Sequence, residues 1–215
     1  MLGLPTGAVD CQCRLVDHEP KRIAITGGPG AGKTAILEMA KQMFCEHVAI
    51  LPEAAGIVFG GGFPRNSSES ARRAAQGAIY HVQRMVEQLA EDERSVAVAL
   101  CDRGTVDGAA YWPGDQELYC AFLGTSLDAE LERYSAVIHM QTPLQNQGYD
   151  HSNELRVESA DEAKVLDQRI LEAWKGHPQR TVIPSSSNFL DKASRALLKV
   201  RDELPRCCQT HRLPW

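Results

Sequence analysis

A glycine-rich segment near the amino end of the sequence contains the residues with the clearest chemical meaning. Gly27–Thr34 (GGPGAGKT) fits the pattern G-x-x-x-x-G-K-(S/T) at every required position. Glycines let the backbone curl until successive N–H groups point at one anion. Lys33 would place a positive charge between the outer phosphates, and Thr34 would offer its hydroxyl to Mg²⁺. The segment predicts a binding site for the triphosphate of ATP or GTP, formed by Gly28, Pro29, Gly30, Ala31, Gly32, Lys33 and Thr34.

Two carboxylates follow apolar segments and would complete the chemistry that such a loop requires. Asp102 comes directly after Ser95–Cys101 (SVAVALC), where an acidic partner for the metal is expected. A turn residue or a helix cap is the alternative role for Asp102. Glu53 follows His47–Leu51 and could accept a proton from a substrate hydroxyl or orient that hydroxyl, unless it is only a solvated acid at a helix start. We predict Asp102 and Thr34 as metal ligands, and Lys33, Glu53 and Asp102 as catalytic residues.

Residues near Asp102 leave alternatives open. Arg103 could neutralise charge on a transferred phosphoryl group or could form a surface salt bridge, and Asp107 is a weaker candidate for substrate contact. Tyr111 and Trp112 could shape an acceptor pocket or could only pack. The pair Arg72-Arg73 lies in a helical pattern and is more typical of a solvated face.

Strand-like and helix-like patterns alternate around these residues. The apolar, β-branched runs predict strands at Arg22–Thr26, His47–Leu51, Ser95–Cys101, Ala136–Met140 and Thr181–Ile183. The helical spacing predicts helices at Lys33–Cys45, Ser67–Asp92, Ala160–Trp174 and Phe189–Leu204, with short segments at 115–123 and 126–134. The glycine-rich stretch Gly56–Pro64 is expected to be too flexible for a packed element. This alternation predicts a three-layer α/β/α fold with a mainly parallel five-stranded sheet.

The bulk composition restricts the domain organisation and the partners. The 215 residues suit one α/β domain, which we place at 20–204, between an irregular leader at 1–19 and an irregular tail at 205–215. A net charge of −5 supplies no basic field for nucleic acid or an anionic membrane. No apolar run reaches the roughly 18–20 residues that cross a bilayer. We therefore predict a cytoplasmic protein without nucleic-acid or membrane partners, and its oligomeric state stays open.

The seven cysteines form no regular framework, and the seven histidines are scattered without ligand spacing. Cys45 and Cys101 lie in apolar segments and are expected to be small buried hydrophobes. The terminal segments contain a second set of cysteines: Cys11, Cys13, Cys207 and Cys208. Their spacing differs from the usual pair of zinc ligands, so a zinc site that joins the two tails is disfavoured. A reducing compartment is the simplest interpretation.

The order of several motifs resembles the P-loop kinase-like ATPases grouped with the nicotinamide riboside kinase domain, sometimes labelled an AAA-type domain. The matching segments are RIAITGGPGAGKT at 22–34, PEAA at 52–55, LCDRG with Asp107 at 100–107, NELRVE at 153–158 and HPQRTVI at 177–183, followed by the Phe189/Lys192 pair. The resemblance implies a nucleoside/nucleotide kinase-like P-loop NTPase fold. It also implies that Phe189 and Lys192 contribute to nucleotide binding.

The same resemblance implies a mobile lid that brings an arginine onto the phosphates during transfer. Arg156, in the polar stretch Asn146–Glu158, occupies the matching position. A planar cation that arrives late would stabilise the spreading charge of the transferred group. The alternative is a solvated loop arginine, and Arg169 on the following helix is a reserve candidate.

Two classes of function therefore remain in competition. The first is a small-molecule kinase that transfers the γ-phosphoryl group of ATP to a nucleoside-like or other hydroxyl acceptor, with the triphosphate and the acceptor as partners. The second is an ATP or GTP hydrolase, or a regulatory module that binds the nucleotide without an acceptor. A guanine-specific GTPase is disfavoured, because the late segment PSSSNFLDK lacks the N/T-K-x-D element.

Overall fold

Five parallel strands form the centre of the molecule. The computed structural model describes residues 6–7, 11, 18–94, 96–143, 160–186 and 188–209. The strands lie in the order β2-β3-β1-β4-β5, and every pair of neighbours is parallel. Their bounds are Lys21–Thr26 (β1), Val48–Leu51 (β2), Val98–Asp102 (β3), Ala136–Met140 (β4) and Arg180–Ile183 (β5). All five strands predicted from the sequence are present, with ends that shift by up to three residues.

Helices cover both faces of this sheet. Their bounds are Lys33–Met43 (α1), Ala54–Gly60 (α2), Glu69–Glu93 (α3), Gly108–Tyr111 (α4), Gln116–Leu123 (α5), Leu127–Leu131 (α6), Ala160–Ala173 (α7) and Phe189–Glu203 (α8), with 3-10 turns at Thr105–Asp107 and Arg206–Cys208. Alternate residues of β1 point to opposite layers. Ile23 and Ile25 pack with α1 and α8, whereas Ala24 belongs to the core shared with α3 and α7. The predicted three-layer α/β/α fold is confirmed.

One prediction about the elements was wrong. The stretch Gly56–Pro64 was expected to hold no packed element, yet α2 occupies most of it. Ala54 and Val58 are buried and α2 packs against α3, so tertiary contact stabilises a helix that its glycines disfavour. The helix ends where the Gly61 amide bonds the Ile57 carbonyl and Gly62 adopts a φ of +91°.

The terminal segments contact the edge of the sheet. Thr6 forms an antiparallel bridge with Ala49 of β2, and the Gly7 amide donates to the Val48 carbonyl at 2.8 Å. At the other end of the chain, Cys208 is fully buried in the core that α1 and α8 share. The division into leader, domain and tail stays a prediction. Among the described residues, no helix is both long enough and apolar enough to span a membrane.

Candidate active site

The loop between β1 and α1 has the shape that its glycines predict. Gly27, Gly30 and Gly32 have φ angles of 130°, 76° and 91°, which strain any residue with a Cβ. A Cβ on Gly27 would also lie 2.0 Å from the Met140 carbonyl oxygen. Gly32 precedes α1, and no described side chain caps that helix. The first amides of α1 therefore remain available to an anion in the loop.

The Lys33 side chain folds back and bonds the backbone of its own loop. Its ammonium donates to the Gly27 carbonyl at 2.9 Å and to the Gly28 carbonyl at 3.0 Å, and only 8% of the residue is exposed. Burial lowers the pKa of Lys33 to about 8, and the nearby positive charge of Arg103 adds to this effect. Because burial destabilises the charged ammonium of Lys33, an anionic ligand beside it would stabilise that charge strongly.

An acid on α7 that the sequence analysis missed supports the loop. Asp167 accepts a hydrogen bond from the Gly28 amide at 2.6 Å, and the Nε2 atom of His139 lies 3.2 Å from the same carboxylate oxygen. Asp167 is buried between Ala163 and Ile170 on one face of α7. An acidic residue within the apolar face of a helix is unusual, and this pattern could have identified Asp167 from the sequence. His139 is fully buried.

Lys192 and Phe189 reach the loop from α8. The Lys192 ammonium donates to the Ala31 carbonyl at 2.8 Å and to the Gln141 carbonyl at 2.6 Å, and burial lowers the pKa of Lys192 to about 8. A Cβ added to Gly32 would lie 2.7 Å from the Phe189 ring, which is too close for a side chain at this position. Both side chains hold the loop in shape, and their contact with nucleotide stays a prediction.

Asp102, the last residue of β3, borders the same cavity as the loop. Its Oδ1 atom is buried and has no hydrogen-bond partner among the described residues. Burial raises the pKa of Asp102, whereas the positive charge of Lys33 opposes that rise. Thr34, by contrast, is exposed and lines the cavity. A buried carboxylate oxygen without a described partner and a hydroxyl at the same cavity fit the hard oxygen donors that Mg²⁺ prefers.

Glu53 and Arg103 form an ion pair inside the site. The Arg103 Nε atom donates to the Glu53 Oε1 atom at 2.6 Å, and the Arg103 side chain is 14% exposed. Burial opposes ionisation of Glu53, but the charge and hydrogen bond of Arg103 outweigh it and lower the Glu53 pKa. The salt bridge considered for Arg103 therefore exists, but within the site rather than on the surface.

Asp107 has a supporting position. It is 3% exposed and accepts hydrogen bonds from the Thr26 hydroxyl at 2.7 Å, from the Trp174 indole and from Arg103 at 3.4 Å. Arg103 also donates to the Gly27 carbonyl at 3.2 Å. Asp107 thus orients the arginine that links Glu53 to the loop.

A cavity of about 500 Å³ extends from this loop to the space between α2 and α3. Lys33, Thr34, Glu53, Asp102 and Arg103 border it together, so the structure brings the described candidates for catalysis and metal binding to one cavity. The rest of the lining includes Phe59, Arg65, Arg72, Ile79 and Tyr111. Arg156 and its predicted lid lie outside the described residues.

In two pairs of adjacent residues, the structure places one member at the cavity and the other away from it. Tyr111 lines the cavity, whereas Trp112 is buried and packs against Tyr119 and Phe122. Arg72 lines the same cavity, but Arg73 pairs with Glu69 one turn earlier on α3. The reserve candidate on α7, Arg169, is exposed and does not line the cavity.

Comparisons with known proteins agree with this geometry. The NadR protein, solved in complex with NAD and AMP-PNP, aligns with a TM-score of 0.59 and 13% identity. The alignment covers 92% of this chain and 51% of the NadR chain, so this chain spans about half of that protein. This likeness shows the P-loop NTPase fold predicted from the sequence. No curated protein matches the sequence.

A family described as AAA domain matches residues 22–192, which include the phosphate-binding loop, Glu53, Asp102 and Lys192. The match covers most of the chain and all five strands up to Ile183 except the first residue of β1. The chain belongs to the AAA domain family.

Proposed function

We propose that this protein is a kinase that transfers the γ-phosphoryl group of ATP to a hydroxyl group of a small acceptor. The single observation that carries the proposal is the cavity of about 500 Å³, which joins the phosphate-binding loop to a chamber between α2 and α3. A hydrolase needs space only for water beside the terminal phosphate. Such a chamber, with both apolar and charged walls, is typical of a small-molecule site.

The triphosphate would bind at the amino end of α1. The backbone amides of the loop and the Lys33 ammonium would replace the hydration of the outer phosphates. The NadR structure contains AMP-PNP, an analogue of ATP, which favours ATP as the nucleotide. None of the six described cysteines is in a disulfide, and our proposal places the enzyme in the reducing cytoplasm.

Mg²⁺ is part of the proposal. Asp102 and Thr34 would hold it, because they supply a buried carboxylate oxygen without a described partner and an exposed hydroxyl at the same cavity. The ion would neutralise negative charge on the phosphates during transfer.

Glu53 would act on the acceptor hydroxyl. In the transfer, the acceptor oxygen forms a bond to the γ-phosphorus, and the bond from that phosphorus to the β–γ bridging oxygen breaks. ADP leaves, and the hydroxyl proton passes to Glu53 or to water. Because Arg103 lowers the pKa of Glu53, this carboxylate is a weak base. Its main contribution is to orient the hydroxyl, which suits a transition state in which the proton leaves late.

Arg103 and Arg156 would balance the charge of the transferred group. Arg103 already lies between Glu53 and the Gly27 carbonyl. Arg156 enters the proposal through the resemblance of the segment at 153–158, and it would stabilise the transition state when the lid closes.

The proposal is tested by acceptor-dependent turnover. Purified protein is incubated with MgATP or MgGTP and a panel of nucleosides and sugars, and both ADP and phosphorylated acceptor are measured. We expect one acceptor class to raise ADP formation, with phosphate recovered on the acceptor. Release of inorganic phosphate at a rate that no acceptor changes would instead show a hydrolase. Tight ADP binding without any turnover would show a regulatory module.

A further inference from the structure

A second cluster of reactive side chains lies at the opposite end of the sheet. Cys11, Cys45, His47 and Cys208 bring three thiols and one imidazole together, with all four donor atoms within 4.8 Å of one another. Cys45 and His47 immediately precede β2, at its amino end, whereas the phosphate-binding loop lies at the carboxyl ends of the strands. This cluster is therefore separate from the candidate active site.

The distances within the cluster match a single tetrahedral metal ion. The sulfurs of Cys11 and Cys208 are 3.8 Å apart, and the His47 Nδ1 atom lies 3.5 Å from the Cys208 sulfur and 3.8 Å from the Cys45 sulfur. A tetrahedral zinc ion with usual bond lengths would separate two sulfurs by about 3.8 Å, and a sulfur and a nitrogen by about 3.6 Å. We propose that Cys11, Cys45, His47 and Cys208 bind one structural Zn²⁺ ion.

The donor set favours zinc over other cations. Three thiolates and one imidazole are soft ligands that Mg²⁺ and Ca²⁺ do not choose. The four donors are also too close together to surround an iron–sulfur cluster, whose several metal ions hold the thiolates further apart. A complete set of four protein ligands leaves no position for a substrate, so the site is structural and not catalytic.

Burial of the ligands suits an ion that stays bound. Cys45 and Cys208 are fully buried, and His47 is 8% exposed. A divalent cation at this position would bind the thiolate form of the cysteines directly, at a place largely shielded from water.

Backbone contacts bring the ligands together from distant parts of the sequence. The Val48 amide bonds the Cys45 carbonyl at 3.0 Å, which forms the turn that contains Cys45 and His47. The Cys208 amide bonds the Pro205 carbonyl in the last 3-10 turn. The bridge between Thr6 and β2 brings the amino-terminal segment to the same edge. The zinc ion would thus fasten both terminal segments to the start of β2.

This proposal departs from the expectation drawn from the sequence, which disfavoured a zinc site and found no ligand spacing among the histidines. The spacing rule assumed that two ligands come from each tail. Instead, each terminal segment supplies one cysteine, and the turn before β2 supplies the other two ligands. Cys45 is buried as expected, but among other ligands rather than only among apolar side chains. Cys13 lies outside the described residues.

Cys207 provides a matched control. Its sulfur lies 3.8 Å from that of Cys208, and it forms a second group with Cys208 and His18. That group offers three ligands, whereas the proposed site offers four. The proposal therefore requires Cys208→Ser to lose the metal and Cys207→Ser to keep it.

The test measures metal content in the full chain without an affinity tag. Protein is purified under reducing conditions without chelator, and zinc is measured by inductively coupled plasma mass spectrometry. We expect about one zinc ion per chain. Cys45→Ser and Cys208→Ser should lower this to roughly a tenth of an ion or less, whereas Cys207→Ser and Cys120→Ser should keep it. If the first two variants do not fold, Co²⁺ is exchanged into the wild-type protein instead. The spectrum should then show thiolate-to-cobalt charge transfer and the intense bands of a tetrahedral ion.

Three results would overturn the proposal. The first is wild-type protein that contains no zinc and binds none when Zn²⁺ is added. The second is an octahedral cobalt spectrum without charge-transfer bands. The third is an intact mass and peptide map that show a disulfide between Cys11 and Cys208 in freshly isolated protein. None of these results depends on nucleotide, so failure here leaves the proposed kinase activity untouched.

Discussion

The two ends of the parallel sheet differ in the side chains they carry and in how open they are to ligands. At the carboxyl ends, Lys33, Glu53 and Asp102 border an open cavity of about 500 Å³. At the amino end, Cys45 and Cys208 are fully buried, and the four donor atoms of their cluster lie within 4.8 Å of one another. Open volume and hard oxygen or nitrogen groups suit a ligand that must enter and leave. Closely spaced sulfur ligands that are mostly buried suit an ion that stays bound.

The two sites also differ in how far apart their residues lie in the sequence. The phosphate-binding loop is built from consecutive residues, so its shape depends mainly on glycine conformations and on the start of α1. The cysteine–histidine cluster joins residues up to 197 positions apart, so it exists only when the whole domain is folded. Substitutions at the first end should therefore alter activity, and substitutions at the second end should alter stability.

The largest expected effect comes from Lys33→Ala. Loss of the ammonium that faces the phosphates should lower phosphoryl transfer by about 1,000-fold, or roughly 4 kcal/mol. Because the two ends of the sheet are separate, the zinc content of the Lys33→Ala variant should equal that of the wild type. Steady-state kinetics and metal analysis of the same preparation measure both quantities. Lys199→Ala is the control, because Lys199 pairs with Asp202 on the exposed face of α8. If the Lys33→Ala variant still transferred the phosphoryl group at the wild-type rate, Lys33 and its loop would have no role in the mechanism.

Removal of zinc should affect stability and not chemistry. If the ion is present at a little over 100 times its Kd, a chelator should lower the free energy of unfolding by about 3 kcal/mol. The midpoint of thermal unfolding should then fall by roughly 6–12 °C. Differential scanning calorimetry should show this shift for the wild type and for Cys207→Ser, but not for Cys208→Ser. A chelator that leaves the wild-type midpoint unchanged would contradict the contrast between the two ends.

Glu53→Gln should separate acceptor chemistry from nucleotide binding. The amide keeps the shape but loses the charge, so we expect kcat to fall about 100-fold, or roughly 2.7 kcal/mol. The Kd of MgATP, measured by calorimetry, should change by less than about threefold, within roughly 0.7 kcal/mol. Glu38→Gln on the exposed face of α1 is the control. Equal losses in binding and transfer would place Glu53 at the nucleotide rather than at the acceptor.

The smallest expected effect is a pH dependence of nucleotide affinity. The pKa of Lys33 is lowered to about 8 in the free protein, and the phosphates should raise it again in the complex. Above pH 8 the free lysine is increasingly neutral and must gain a proton on binding. Affinity should therefore fall about tenfold, or roughly 1.4 kcal/mol, between pH 7 and pH 9.

Calorimetry in two buffers of different ionisation enthalpy measures that proton directly. We expect proton uptake at pH 9 and almost none at pH 7. Proton release at pH 9, or a constant affinity across this range, would mean that the lysine charge is not what binds the phosphates.

The sequence predicted most of the fold because its signals are local. Apolar runs such as Ala136–Met140 mark central strands that are buried on both faces. The helix α2 was missed because its stability comes from packing on α3 and not from its glycine-rich sequence. Boundaries also shifted, as at α8, which ends at Glu203.

The candidate site could be predicted only in part. The loop and the two acids follow from a motif and from their positions at strand ends, and the structure places Glu53 and Asp102 beside one cavity with Lys33. The contacts of Asp167 with Gly28 and of Arg103 with Glu53 could not be predicted, because they depend on how segments distant in the sequence pack together.

By itself, the sequence determined a phosphate-binding loop at the junction of a strand and a helix. Eight consecutive residues carry that information, and glycine conformation and the helix amides act over a few ångströms. Only the tertiary structure decided that Arg103 pairs with Glu53 and that Cys11, Cys45, His47 and Cys208 converge. Those contacts join residues distant in the chain, and only the packed sheet and its helices bring them within bonding range.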